Sequence, residues 1–175
     1  LEKLPADPIQ GVILANEVLD AFPVTCFVKR EGETRPLGVG LMEEGFEWAE
    51  GEPEPGLTDR IAALEARLGR VFPDGFRSEI SPAGPAWVAS VASALDKGAI
   101  LVIDYGLTER EYYHPQRDSG TLICHYRHRA HADPFLWPGL QDISAWVDFS
   151  ACARAAEDVG LAVAGFTTQG QFLIE

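Results

Sequence analysis

The stretch Gly11–Val24, GVILANEVLDAFPV, constrains the fold more than any other part of the chain. Val12-Ile13-Leu14-Ala15 is a short apolar run without alternation, the pattern of a central parallel strand covered on both faces. Polarity then changes abruptly at Asn16, Glu17 and Asp20, and Phe22-Pro23 closes the segment. In open α/β sheets, ligands sit beyond the carboxyl ends of the strands. Asn16, Glu17 and Asp20 are therefore candidate site residues. The competing reading is a capped turn, with Asn16 or Asp20 accepting from backbone N–H groups.

A second unit repeats the pattern. Ser81-Pro82 opens a predicted helix that runs through Leu95, and Gly98 closes it. Ala99–Ile103 is another buried run, ending in Asp104-Tyr105-Gly106. Helix, glycine, strand and acidic residue is the order of a parallel crossover unit, so the expected class is α/β. If the two strands are neighbours, Asp104 faces the same ligand as Glu17, although Asp104 also suits a loop cap. Between them, residues 25–51 read as an inserted antiparallel β-meander of about three strands turning at Glu31-Gly32-Glu33 and Glu43-Glu44-Gly45. Residues 52–57 read as a linker. Thr58–Leu68 reads as a helix with Thr58 as N-cap and Gly69 as C-cap. Later, Gly120–Arg129 reads as a strand entering a loop, Pro134–Gly139 as a turn, Asp148–Gly160 as a helix and Leu161–Thr168 as a strand. Residues 1–175 form one partial domain on this reading.

Composition narrows the function. The chain has 175 residues and a net charge of −13, which disfavours a nucleic-acid partner because phosphates would be repelled. The same charge suits a cationic substrate, or simply solubility. No apolar run approaches the roughly 20 residues of a membrane span. No targeting signal is evident, which gives a bacterial cytoplasmic protein as the expectation, with the mitochondrial matrix as the alternative. Cys26, Cys124 and Cys152 are widely spaced and read as free thiols. No G-x-S-x-G, P-loop or Ser–His–Asp order is present. Gly38-Val39-Gly40 lies inside the meander and is not a dinucleotide fingerprint. His125, His128 and His131 alternate with Arg127 and Arg129, which reads as a substrate loop or ordinary loop residues rather than a metal site. Gln141 and Asp142 follow as further candidate contacts, with Asp142 placed to pair with Arg127 or Arg129.

ANEVLDAFPV, VIDYG, GTLICHYRHRAHADPF, PGLQDISAWVDFSA and GFTTQGQFL, in that order, resemble the MidA-like family of S-adenosylmethionine-dependent methyltransferases. That family includes the mitochondrial complex I assembly factor, a protein arginine methyltransferase. The resemblance implies a class I, Rossmann-like methyltransferase sheet, with Gly11–Ala15, Ala99–Ile103 and Leu161–Thr168 as its fourth, fifth and sixth strands. It also places the glycine-rich cofactor loop before Leu1 and the last strand beyond Glu175. The chain therefore reads as the C-terminal part of the domain, truncated at both ends. The cofactor implied is S-adenosyl-L-methionine, with Asn16 and Glu17 beside it. Glu17, Asp20 and Asp104 are the implied catalytic residues, and Tyr105, His125, His128, Gln141 and Asp142 the implied substrate contacts. The implied partner is a protein with an accessible arginine, with homodimerisation left open. Trp146 stands where relatives are expected to carry His. A non-catalytic assembly factor that keeps the fold is the rival reading.

Overall fold

The computed structural model describes residues 4–5, 7–43 and 45–174. β1 (Ile9–Asn16) leads through a short turn to β2 (Thr25–Arg30), β3 (Glu33–Met42) and β4 (Gly45–Glu50). Then come α1 (Pro55–Leu68), β5 (Arg77–Ile80), α2 (Ala83–Ala92) and β6 (Leu95–Ile103). β7 (Gly106–Leu107), α3 (Glu109–Tyr112), β8 (Ile123–Tyr126) and β9 (Arg129–His131) follow, before β10 (Asp142–Ser144), β11 (Val147–Asp148), α4 (Phe149–Asp158) and α5 (Gln169–Phe172).

β1 and β6 pair in parallel, with Asn16 opposite Ile103, so the two unalternating apolar runs are neighbours with their carboxyl ends level. The expected cover on both faces is not present among the described residues. Ala15 is buried, but Val12 is 69% and Leu14 63% exposed. α2 stops at Ala92 rather than Leu95, with Ser93 as C-cap, its N–H donating to the Ala89 and Ser90 carbonyls and its hydroxyl to Ser90 O. Ala94 O instead accepts from Ile9 N at 2.7 Å, and the chain enters β6 at once. Gly98 therefore does not close the helix. It sits inside β6 at φ +147°, where a Cβ would lie 1.7 Å from Gly11 O.

The meander gains a strand, giving the order β4-β3-β2-β5. Glu44, in the second predicted turn, lies outside the described residues. α1 starts three residues earlier than expected, with Pro55 in its first turn and Glu54 as N-cap, so Thr58 N donates to Glu54 O and Thr58 is not the cap. Gly69 closes the helix in the left-handed conformation. Phe27, Ile61, Leu64, Phe72, Phe76, Tyr112 and Tyr113 form the main core between this sheet and α1. Lys29 is buried with them and pairs with Glu65 at 3.2 Å.

A second core joins Leu19, Val88, Val147 and Cys152 under α2 and α4. Asp148 caps α4 by accepting from Ala151 N at 3.1 Å. Residues 161–168 form no ladder among the described residues. An apolar sequence favours an extended chain, but a ladder needs an open edge about 5 Å away. Phe166 instead packs against Phe149, with ring centroids 5.3 Å apart.

Candidate functional site

The parallel pair sets the site. After Asn16 the chain turns sharply, and Glu17 N donates to Ile103 O at 2.8 Å. Glu17 takes φ +49°, an uncommon conformation for a non-glycine residue, and its carboxylate is exposed. The next three backbone N–H groups, of Val18, Leu19 and Asp20, converge on Asp104 Oδ2 at 3.1, 2.8 and 3.4 Å. Asp104 Oδ1 accepts from Tyr105 N at 2.9 Å. The loop-cap reading of Asp104 is thus the one the geometry carries. Its carboxylate joins the ends of β1 and β6, which makes it a positioning residue rather than a group presented to a ligand.

Asp20 lies half-buried beyond this cap. Burial raises its pKa, and the charge of Asp104 raises it further. The Ala21 N–H opposes the shift, while Glu17 and Asp142 add to it. Asp20 O accepts from Ala145 N at 3.0 Å, which ties the segment after β10 to the same crevice. Glu17, Asp20, Asp104 and Asp142 therefore form one field of negative potential at the carboxyl edge of the parallel pair. Such a field favours a cation, and a guanidinium fork matches paired carboxylates. The side chains of Asn16 and Glu17 make no hydrogen bond among the described residues and are free to meet a ligand.

The other candidates divide. Tyr105 is 60% exposed, and its carbonyl accepts from Val147 N. His125 stands directly across the β10–β8 ladder from Asp142, so these two share a sheet face near Asp20. His128 lies at the tip of the β8–β9 hairpin, where Arg127 and His128 have φ +48° and +63°. That is a type I′ turn built from two non-glycine residues. Gln141 Nε2 donates to Pro134 O at 2.6 Å, so this amide closes its own loop. Asp142 makes no ion pair with Arg127 or Arg129 among the described residues. Arg127 instead lies over the Tyr126 ring, and His131 packs edge-on against Trp137. No three His, Cys, Asp or Glu side chains among the described residues converge as metal ligands. All three cysteines are unpaired, and burial pushes the Cys26 and Cys152 thiols up to about 12, which makes them unreactive.

Sequence reasoning missed two features. Glu79 is buried in the core, where its Oε1 accepts from Tyr112 Oη, Thr121 N and Thr121 Oγ1 at 2.7, 2.8 and 2.6 Å. Burial raises its pKa against those bonds. Thr121 Oγ1 also accepts from Trp146 N, so this network supports the strand segment next to Ala145. The second feature is a cavity of about 260 Å³ behind the Leu19 turn, lined by Leu19, Leu64, Trp146 and Asp148, with Arg67 and Arg154 nearby on Glu109. No sequence signal marks either, because a buried Glu and a cavity wall depend on partners far along the chain.

Residues 1–167 match the family described as "Putative S-adenosyl-L-methionine-dependent methyltransferase". A candidate methyl transferase from Burkholderia thailandensis, bound to S-adenosyl-homocysteine, is 41% identical with a TM-score of 0.88. That match covers 99% of this chain and 44% of that one. An uncharacterized protein of the same superfamily and organism, in a native crystal structure, is 43% identical with a TM-score of 0.86. There the match covers 99% of this chain and 45% of that one. The chain thus spans less than half the length of the solved structures it matches. No curated protein matches it.

Proposed function

Because the chain belongs to this family of S-adenosyl-L-methionine-dependent methyltransferases, we propose that it supplies the acceptor side of a methyl-transfer site whose substrate is a protein arginine. The observation that carries the reading is the crevice at the level ends of β1 and β6, where Glu17, Asp20 and Asp142 surround a turn fixed by Asp104. The resemblance to the MidA-like family extends the reading to a subunit of respiratory complex I as acceptor, and to a Rossmann-like sheet completed by further strands.

The residues at the strand end fit the polar periphery of the cofactor. Asn16 offers both donor and acceptor, and Glu17 offers a carboxylate, without losing any bond the fold needs. The surrounding negative charge suits a sulfonium. When bound, S-adenosylmethionine supplies an electrophilic methyl group on that sulfonium. The chain's own part is orientation, which accounts for much of the catalysis in a transfer of this kind. Glu17 and Asp20 hold the guanidinium plane and draw its positive charge toward two nitrogens. The third nitrogen is left to act as nucleophile. Asp20, with its raised pKa, takes the proton that the methylated guanidinium sheds from a nitrogen it already holds. Asp104 keeps Asp20 in place and touches no ligand. Tyr105 and His125 border the acceptor.

The test is turnover of an arginine-bearing protein by the full-length enzyme carrying Asp20→Asn, with cofactor binding followed by calorimetry. Loss of turnover by roughly 100-fold, with cofactor affinity held within about threefold, is expected. Unchanged turnover would overturn the assignment. A non-catalytic assembly role is the second reading, supported by the exposed apolar β3–β4 hairpin. It predicts no methyl transfer to any acceptor.

A further inference from the structure

β2 pairs with β3 only as far as Pro36. From Leu37 to Met42, β3 pairs with β4 alone, so the hairpin leaves the sheet as a two-stranded arm. Directly opposite residues in an antiparallel ladder share a face. The pairs Val39–Trp48 and Leu41–Phe46 therefore lie on one side of the arm, where Phe135 packs edge-on against Trp48 with ring centroids 5.1 Å apart and leaves Val39, Leu41 and Phe46 as the open part of the face. Val39 is 61%, Leu41 76% and Phe46 48% exposed, whereas isolated apolar residues of this size on a soluble surface do not normally line up. The outer edge of β4 makes no backbone hydrogen bond beyond β3 among the described residues, and β4 ends the sheet. Such an edge is a ready template for another extended chain. A groove of about 620 Å³ runs along the same face to the base of the arm, lined by Val39, Trp48, Leu37, Cys26 and Val24. Val24 also lines the cavity behind the Leu19 turn, so the base of the groove adjoins the segment that carries Asp20.

Charge selects the occupant. Residues 37–56 contain six glutamates, Glu43, Glu47 and Glu54 among them, and no Lys, Arg or His. Arg30 neutralises Glu50 at 2.7 Å, but the other arm carboxylates have no cation paired to them among the described residues. A second copy of the chain would bring like charge against like charge in a self-complementary contact. An extended basic segment with apolar side chains at alternate positions meets every feature at once. Its backbone adds to the edge of β4, its apolar side chains cover Val39, Leu41 and Phe46, and its cations meet the glutamates.

We propose that the β3–β4 arm is a docking rail for an extended, basic segment of the acceptor protein, delivering it to the crevice at Asp20. The identity of the partner rests on the methyl-transfer reading, whereas the chemistry that holds it does not. The test separates the two. A short acetylated peptide of alternating lysine and leucine, free of arginine, is titrated into the full-length protein and compared with the same peptide carrying glutamate for lysine. The lysine peptide is expected to bind at least roughly tenfold more tightly, with affinity falling as salt rises. Replacing Leu41→Ser and Phe46→Ser, both exposed, is expected to weaken lysine-peptide binding about tenfold, with the thermal midpoint and S-adenosylmethionine binding unchanged. Equal binding of the two peptides, or equal binding by parent and variant, overturns the proposal. So does a parent dimer that the variant dissociates, because the face is then a self-association surface. Peptide binding on the arm without methyl transfer to any arginine protein supports the rail and removes the methyl-transfer reading.

Discussion

Asp148 gives the most exacting test of the energetics. It caps α4 at the wall of the inner cavity, and burial raises its pKa from 3.8 to about 6, against its hydrogen bond from Ala151 N and the attraction of Arg154. The folded state therefore holds this proton more tightly than the unfolded chain. Stability from this group is fully present below about pH 4 and is lost as pH rises through about 6. A shift of about two units corresponds to roughly 3 kcal/mol. Asp148→Asn removes the charge but keeps a side-chain oxygen for the cap, and Asn is as good an N-cap as Asp. The variant is expected to gain roughly 1–3 kcal/mol over the parent near neutral pH, with the gain vanishing near pH 4. Urea unfolding of both proteins at about pH 4.5 and about pH 7.5 measures it as a difference of differences. The many other carboxylates titrate alike in both proteins and cancel. If Asp148→Asn is the less stable protein at both pH values, the buried-charge argument is wrong and the ionised cap is an asset.

The remaining predictions are these. Gly120→Ala is expected to cost roughly 2–4 kcal/mol by thermal unfolding, because the new Cβ would lie 2.2 Å from Glu79 Oε2 at a residue with φ +82°. Asp104→Ala is expected to cost roughly 2–3 kcal/mol in the same assay, since it leaves three backbone N–H groups without their acceptor. Asp104→Asn is expected to recover about half of that. If Asp104→Ala melts with the parent but is inactive, then Asp104 acts on substrate and not on the loop.

Some of this was legible in the sequence for clear physical reasons. The runs at Val12–Ala15 and Ala99–Ile103 lack alternation, and that property belongs to strands paired in parallel, which is how β1 and β6 meet. The polar residues after each run then had to lie together. What the pattern could not separate was Asp104 from Glu17, since a cap and a ligand-facing carboxylate look the same until the neighbouring N–H groups are located. Gly98 misled because a glycine after a helical segment usually ends it, whereas here the strands approach too closely for any side chain. The place of β5 in the meander sheet has no local signal, because its partner, β2, is some fifty residues earlier. Glu79 was invisible because its burial depends on Tyr112 and Thr121, and no local rule predicts a carboxylate in a core.

The long interval between β1 and β6 also imposes an order on folding. Closing the chain between Asn16 and Ile103 costs about 4 kcal/mol of loop entropy before any parallel pairing returns it. The meander, α1 and β5 carry their own core, centred on Phe27, Ile61 and Phe76, and their strand contacts are largely closer in sequence. They are expected to form first and so to shorten the distance the two ends must search. The Asp104 cap is then expected to be the last joint made, and hydrogen exchange in mild denaturant is expected to open the acidic crevice before the meander core.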